Sequence, residues 1–485
     1  MPRRRSILLT AWLLVGVLMV WAAGVPPVQR TQEARVLETA REMLGRPARD
    51  WLVPRLNGAV RLRKPPLAYW LSAGSMTAFG VNDRAGRLPM AMLSWLSLAA
   101  TFALARRWFG TRTAWLSTAA LVGSFLFFKH GLLAETDAVA AAFLTIGAWA
   151  VVQAASRHRF TRPDASTDAP TTNLARGSLV WPHVVAVCLA GVILSKGPNA
   201  AFLLIFWAAL CGLRRDWRSL RQFVTRGGLI TLVVLAVPWF VYVWRTTADE
   251  GQLGADLTNS VDGGDHHGWP WAYVPMLLRA TLPWTPLWLV ALWLAATRLR
   301  RSAGLRELTA WGAAIFFPLC VWGNKQPHYL LPLMPPTMIL VGWAVMTMIR
   351  RRPHGSVASR FRLAVVVGVV GVVMMVVIVA WLPARRGGAS VRASAELLAA
   401  YPAANFIFRG SELPVMSWTM RQVIPLRDDA AITAATADAN TVVIEQQQDD
   451  EAEPTPPTGF VESRRIRQAD NVLHVYVPTS GSLSR

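Results

Sequence analysis

Apolar residues run along this chain in long blocks, and their length sets the first expectation. A bilayer core takes about 20 predominantly apolar residues per helix. Blocks near that length lie at 7–24, 88–106, 113–128, 132–155, 179–195, 198–213, 228–246, 272–297, 308–323, 329–349 and 362–382. Several are short or crowded by Gly and Pro, and together they predict an α-helical polytopic membrane protein with 11–13 spans. The first block, "RRRSILLTAWLLVGVLMVWAAG", also has the basic start and small-residue end of a signal peptide. With so many blocks behind it, an uncleaved first helix is the better reading.

Two stretches break the pattern. In 31–44, "TQEARVLETAREML", Val36, Leu37, Ala40 and Leu44 fall on one helical face, with Glu38, Arg41 and Glu42 turned to water. That predicts a helix lying in the membrane interface. A second short helix is expected from Pro65, since proline suits a first turn, to Gly80 as its cap, with Tyr69 and Trp70 at interfacial depth. From 383 onward the apolar runs shrink to strand length, "ANFIF", "PVMSW", "TVVIEQ" and "VLHVYV", around the acidic, proline-rich "QQQDDEAEPTPPTG". The chain therefore divides into a transmembrane region, 1–382, with a first outer loop at 25–87, and a small α/β domain at 383–485.

Charge orients this arrangement. The chain holds 50 Lys+Arg against 28 Asp+Glu, a formal +22. In a membrane protein such an excess marks cytoplasmic loops and does not call for a nucleic-acid partner. With Arg3, Arg4 and Arg5 inside, every second short connection is arginine-rich, at 106–112, 157–176, 214–226, 298–306 and 350–362. The N-terminus is then inside, and the first loop, Asp137, "DGGDHHGWPW" and the tail are outside. The three cysteines, Cys188, Cys211 and Cys320, fall in or beside spans, with no disulfide framework or metal spacing.

Against 46 arginines the chain has four lysines, Lys64, Lys129, Lys196 and Lys325. Three share a local pattern, Lys64-Pro-Pro, Lys196-Gly-Pro and Lys325-Gln-Pro. Lysine kept in so arginine-rich a chain suggests positions that need a compact ammonium instead of a planar fork. Lys129 lacks the pattern and reads as chance. Lys64 stands at the start of the second short helix, where free N–H groups already favour an anion. An ammonium there is a reasonable phosphate clamp at the membrane edge.

The motifs "AREMLGRPARDWLVPRLNG", "RKPPLAYWLSAGSMTAFGVNDRAGRLP", "LARRWFG", "LSKGPNA" and "NKQPHYLLPLMPP", taken in that order, resemble the bacterial branch of the integral-membrane C-type glycosyltransferases. That branch includes the 4-amino-4-deoxy-L-arabinose transferase of lipid A and is related to the protein O-mannosyltransferases. The resemblance implies a polyprenyl-phosphate-linked sugar as donor and an envelope lipid, glycan or protein as acceptor, at the outer face of the bacterial cytoplasmic membrane. It places Lys64 at the lipid phosphate, with Lys196 and Lys325 as further donor-site cations, and aligns His328, Tyr329 and Asp137 with family positions. His266 or His267 matches a histidine near a metal site. Two departures stand out. The family's Asp-Glu pair in the first loop aligns with Gln32-Glu33, and the glutamate before the Lys-Pro-Pro lysine is Arg63, which argues against a divalent metal of the family's kind. No cofactor is otherwise implied.

The chemistry needs cations to stabilise charge building on the leaving phosphate. Lys64 and Arg63, with Lys196 and Lys325, are the candidates, and snorkelling to the headgroups is their plain alternative. It also needs the acceptor hydroxyl positioned, with a carboxylate to take its proton where a base is used. Glu33 and Asp137 are the catalytic candidates, although Asp137 also suits a helix cap. Gln32, His266, His267, His328 and Tyr329 complete the substrate-binding candidates. Two other functions stay open, a transporter or flippase and a non-catalytic binder of sugar-linked lipid. The first would show internal repeats and polar residues at mid-span, and neither is visible in the sequence.

Overall fold

The computed structural model describes residues 2–47, 51–155, 172–247, 268–351, 388–435, 440–448, 451–468 and 471–479, with isolated positions between 362 and 373 and at 438. The chain divides into two compact units. One comprises Met1–Ala23, Leu62–Ala68 and Arg87–Trp381, and the other Gly24–Arg61, Tyr69–Gly86 and Leu382–Arg485.

In chain order the elements are α1 (Pro2–Ala23), α2 (Thr31–Leu44), β1 (Arg55–Leu56), β2 (Ala59–Val60), α3 (Leu67–Phe79), α4 (Asp83–Phe109), α5 (Thr111–Val122), α6 (Phe125–His130), α7 (Thr136–Ala154), α8 (Thr172–Lys196), α9 (Ala200–Arg214), α10 (Arg218–Thr225) and α11 (Gly228–Thr247). There follow α12 (Tyr273–Ala280), α13 (Thr285–Ala296), α14 (Ala303–Val321), a 3₁₀ turn (Pro327–Leu333), α15 (Met334–Arg351), α16 (Ala389–Ala400), β3 (Asn405–Arg409), α17 (Pro414–Met420), α18 (Asp429–Ala434), β4 (Thr441–Gln448), β5 (Phe460–Gln468) and β6 (Asn471–Pro478).

Among the described residues, six helical stretches are long and apolar enough to cross a membrane: Asp83–Phe109, Thr136–Ala154, Val180–Arg214, Gly228–Thr247, Ala303–Val321 and Pro327–Arg351. The pair Pro270–Ala280 and Thr285–Ala296, bent by 120°, makes a seventh if counted as one span. The chain is a multi-pass membrane protein. Other predicted blocks are interrupted: 113–128 is two short helices, α5 and α6, parted at Gly123-Ser124, and most of 362–382 lies outside the described residues. On α11, Ile230, Val234, Val237, Val241 and Trp244 are all exposed at helical spacing, an apolar stripe suited to lipid contact. Helices meet elsewhere through small residues. A Cβ on Gly342 of α15 would sit 2.7 Å from the backbone nitrogen of Ser117 on α5, so only glycine allows that approach.

α7 and α8 pack side by side, and the first turn of α7 meets the last residue of α8. Lys196 leaves the helical region (φ −154°, ψ 56°), and Gly197-Pro198-Asn199 forms a 3₁₀ turn into α9. Proline has no N–H to continue the α8 ladder, so the break follows from sequence. At the far end of α9, Arg214 donates to both oxygens of Glu307 on α14 at 2.8 and 2.7 Å, and Trp108 Nε1 donates to Glu307 Oε2 at 2.8 Å. This clamp ties α4, α9 and α14.

Three expectations are corrected, the first two in the second unit. Glu38 and Glu42 of α2 are buried, because each has a partner that the amphipathic reading missed. Arg41 bonds both oxygens of Glu38, while Glu42 accepts the Asn57 and Gly58 amides at 2.5 and 3.1 Å. Burial pushes both carboxyls above their ordinary pKa. Asn57 and Gly58, both at positive φ, make the tight turn of the β1–β2 hairpin. "PVMSW" is not a strand but part of α17, with Pro414 in its first turn; α17 packs on α2. The expected helix from Pro65 begins at Leu67, leaving Lys64 in the bend before it; Gly80 follows it at φ +79° as expected.

Three tail strands form as predicted and a fourth, β5, joins them in the order β3-β4-β6-β5, with β3 parallel to β4 and the other pairs antiparallel. Leu397, Met416 and Met420 pack on Phe406, Phe408, Val442, Ile444 and Val475 as its core. Trp418 Nε1 donates to Asp83 Oδ1 at 2.9 Å within the same unit.

Truncating Glu42 to Ala leaves two hairpin amides without an acceptor, a loss of about 2 kcal/mol. Hydrogen exchange at Asn57 and Gly58 should speed up about thirtyfold in Glu42→Ala; unchanged exchange would show that the carboxylate does not hold the turn.

Candidate active site

Lys64 comes from the bend before α3, Lys196 from the break after α8, and Tyr329 from the 3₁₀ turn preceding α15. All three, with Arg63, line one cavity of about 230 Å³ within the first unit. Phe202, Trp239, Phe240, Pro318 and Trp322 contribute apolar lining. Cationic groups beside an apolar lining suit a ligand that is anionic at one end and hydrocarbon at the other.

Lys196 is held from two sides. Its Nζ donates to Asp137 Oδ1 and lies 3.5 Å from the centroid of the Tyr329 ring. Both members of the ion pair are buried, where separation leaves an uncompensated charge. The ring face adds a cation–π contact that needs no hydrogen. Asp137 stands in the first turn of α7, but the N-cap residue is Glu135. The Asp137 carboxylate serves the lysine in place of the cap that the sequence also allowed. His328 is buried as well, its Nε2 3.9 Å from Asp137 Oδ2.

Lys325 has a different use. Its Nζ donates to the carbonyls of Leu319 and Cys320, both at 2.8 Å, and to that of Trp322. Three bonds take up the ammonium's three hydrogens, and they close the C-terminal end of α14. Burial lowers its pKa, while Tyr273 offers a ring 5.1 Å away. Lys325 thus caps the C-terminal end of α14 in this structure.

Gln32 and Glu33 belong to α2 of the second unit, Gln32 exposed and Glu33 buried. His266 and His267 lie outside the described residues. Two residues that the sequence did not single out stand next to the site. His130, at the end of α6, has its Nδ1 3.0 Å from Glu135 Oε2, and its ring stacks on that of His328 with centroids 5.7 Å apart. The sole signal for them was "KHGLLAETD", a histidine and a glutamate five positions apart just ahead of Asp137.

Among the described residues no group of three or more His, Cys, Asp or Glu side chains could hold a metal ion. Arg63, next to Lys64, adds a cation where a metal would need a carboxylate. These described residues do not fit a metal.

Residues 63–162 match the family model described as "Dolichyl-phosphate-mannose-protein mannosyltransferase". Among curated proteins, the chain is similar to the undecaprenyl phosphate-alpha-4-amino-4-deoxy-L-arabinose arabinosyl transferases of Shewanella sediminis and Pseudomonas aeruginosa. The first is 24% identical over 70% of this chain and 60% of that protein, and the second 29% identical over 74% and 63%. The chain thus matches about three fifths of these relatives' own length. In fold it is similar to ArnT from Cupriavidus metallidurans bound to undecaprenyl phosphate, with a TM-score of 0.73, 18% identity and coverage of 98% of this chain and 99% of that one. The Archaeoglobus fulgidus oligosaccharyltransferase follows at TM-score 0.59 and 11% identity, with 91% and 69% covered.

Removing the Asp137 carboxylate leaves Lys196 charged and buried, at about 3–5 kcal/mol. Asp137→Ala should lower the melting temperature of the detergent-purified protein, and Lys196→Met added to it should restore most of the loss. Additive losses in the double variant would show that the two groups are not coupled.

Proposed function

We propose that this chain, a member of the integral-membrane C-type glycosyltransferases, moves a sugar from a polyprenyl-phosphate donor onto an envelope acceptor at the outer face of the bacterial inner membrane. The observation that carries this reading is the cavity, in which Arg63, Lys64, Lys196 and Tyr329 share the lining with tryptophan and phenylalanine side chains. The relative of the same fold is described as bound to undecaprenyl phosphate. The curated relatives' names give 4-amino-4-deoxy-L-arabinose as the sugar to try first, and the sequence resemblance gives lipid A as the acceptor to try first. The alternation of arginine-rich connections supports an N-terminus inside and the site outside.

In the transfer, the bond between the sugar's anomeric carbon and the phosphate oxygen breaks as the acceptor oxygen bonds to that carbon. Negative charge accumulates on the polyprenyl phosphate that leaves. Lys64 and Arg63 line the same cavity, and Lys196, held at its wall by Asp137 and Tyr329, lies within reach of that charge as it develops. Asp137 is a positioning residue in this account. The role of base assigned to Glu33 rests on the sequence resemblance. It is the carboxylate available where Gln32, which accepts no proton, replaces the family's aspartate.

The test uses purified protein in vesicles with undecaprenyl-phosphate-linked 4-amino-4-deoxy-L-arabinose and lipid A, followed by mass spectrometry. Turnover is expected, falling about 10²–10³-fold in Lys64→Ala, and about 10²-fold or more in Glu33→Gln if that carboxylate is the base. Sugar-lipid crossing the vesicle with no acceptor modified would favour a flippase. Binding without turnover on lipid A or on other envelope acceptors would identify a non-catalytic binder.

A further inference from the structure

The buried row beside the cavity holds more groups than phosphate binding uses. Asp137 offers two oxygens, and Lys196 takes Oδ1. Oδ2 faces His328 Nε2 at 3.9 Å, beyond hydrogen-bond reach. Among the described residues that Nε2 is buried with no hydrogen-bond partner, an unsatisfied state that ordinarily costs about 1–3 kcal/mol. Its ring is fixed on one side by the stacked ring of His130 and on another by the edge-on ring of Tyr329, 4.8 Å away. A nitrogen aimed so closely at a carboxylate without bonding it describes a contact that another state completes.

The charges say which state. The described groups around His328 are Asp137 from α7, Lys196 from α8, and His130 with Glu135 from α6 and the segment after it. Lys64 adds its field at Asp137. With Lys196 on Asp137, that carboxylate is compensated. An anionic phosphate in the cavity competes for the same ammonium, since Lys196 is part of the lining. As Lys196 moves toward it, Asp137 becomes a buried carboxylate short of a counter-charge, which low dielectric strongly disfavours. Among the described residues His328, with its Nε2 3.9 Å from Oδ2, can supply the charge by gaining a proton. A second imidazolium stacked on it would oppose this, and Glu135, bonded to His130 at 3.0 Å, offsets any charge on that ring.

We propose that His328, backed by the His130–Glu135 pair, takes over Asp137 as counter-ion when the donor phosphate draws Lys196 away, so that donor binding carries a proton from solvent into this row. The proton adds to the imidazole ring and no covalent bond of the donor changes. His328, His130 and Glu135 are thereby positioning residues, acting on the phosphate through Asp137 and Lys196. The inference rests on the function proposed above.

Calorimetric binding of undecaprenyl methyl phosphate to the purified full chain tests it. A phosphodiester has no proton to lose near neutral pH, so any protons exchanged belong to the protein. Titrations in buffers of different ionisation enthalpy should give uptake of about one proton in the natural protein. Uptake should vanish in His328→Gln and fall well below the native value in Glu135→Gln, with both variants still binding. A purely structural role for these residues would not move this readout. If His328→Gln does not fold, as its melting would show, Glu135→Gln decides, and native uptake in that variant overturns the proposal. Binding to the natural protein without proton uptake also overturns it and leaves the transferase reading standing. No binding at all defeats the transferase reading and the inference with it.

Discussion

The Asp137–Lys196 ion pair joins the first turn of one spanning helix to the last residue of the next, and the site is arranged around it. Neither charge tolerates burial alone, so each fixes the other, and the helices bearing them cannot separate without exposing the debt. The proline that ends α8 at Lys196 puts the ammonium at a break in the backbone, where it reaches both Asp137 and the cavity. Tyr329 closes over it with a ring face. A site built this way keeps a cation at the cavity wall before any anion arrives, within reach of a leaving phosphate.

The three Lys-x-Pro sequences have separate fates, and the difference lies in what surrounds the ammonium. At Lys196 a carboxylate and an aromatic face leave the cation beside the cavity. At Lys325 three carbonyls saturate it, and it becomes a cap for α14. Lys64 stands in an irregular bend within the cavity lining. Lysine suits all three, since its hydrogens diverge from one compact centre. The local pattern marked bends in the chain where an ammonium is useful. It did not say what the ammonium bonds, because that depends on residues more than fifty positions away for Lys196 and on a helix terminus for Lys325.

The longest apolar blocks became helices of spanning length, six stretches among the described residues, since hydrocarbon leaves the backbone few alternatives, while others, as at 113–128, broke into short helices. The places where the sequence misled are those where a polar group finds a distant partner. Glu38 and Glu42 looked like a solvent face until Arg41 and the Asn57-Gly58 hairpin buried them, although Asn-Gly is itself a turn signal. In "PVMSW" the β-prone residues suggested a strand, but the proline supports a helical first turn and the tail core accepts Met416 and Met420 from a helix. β5, "FVESRRIRQ", hid behind its arginines because one face of that edge strand is solvated. Of the site, Arg63, Lys64, Lys196, Asp137, His328 and Tyr329 were legible by motif. His130 and Glu135 were not, for their meaning comes from a ring stack with a residue nearly two hundred positions later.

The measurement that bears most directly on this account is an experimental structure of the chain with undecaprenyl phosphate bound. The phosphate oxygens should lie about 3 Å from Lys64 and Lys196 Nζ, with the first isoprene units against Trp239 and Trp322. A phosphate seated elsewhere, with Lys196 still closed on Asp137 and the cavity empty, would contradict it.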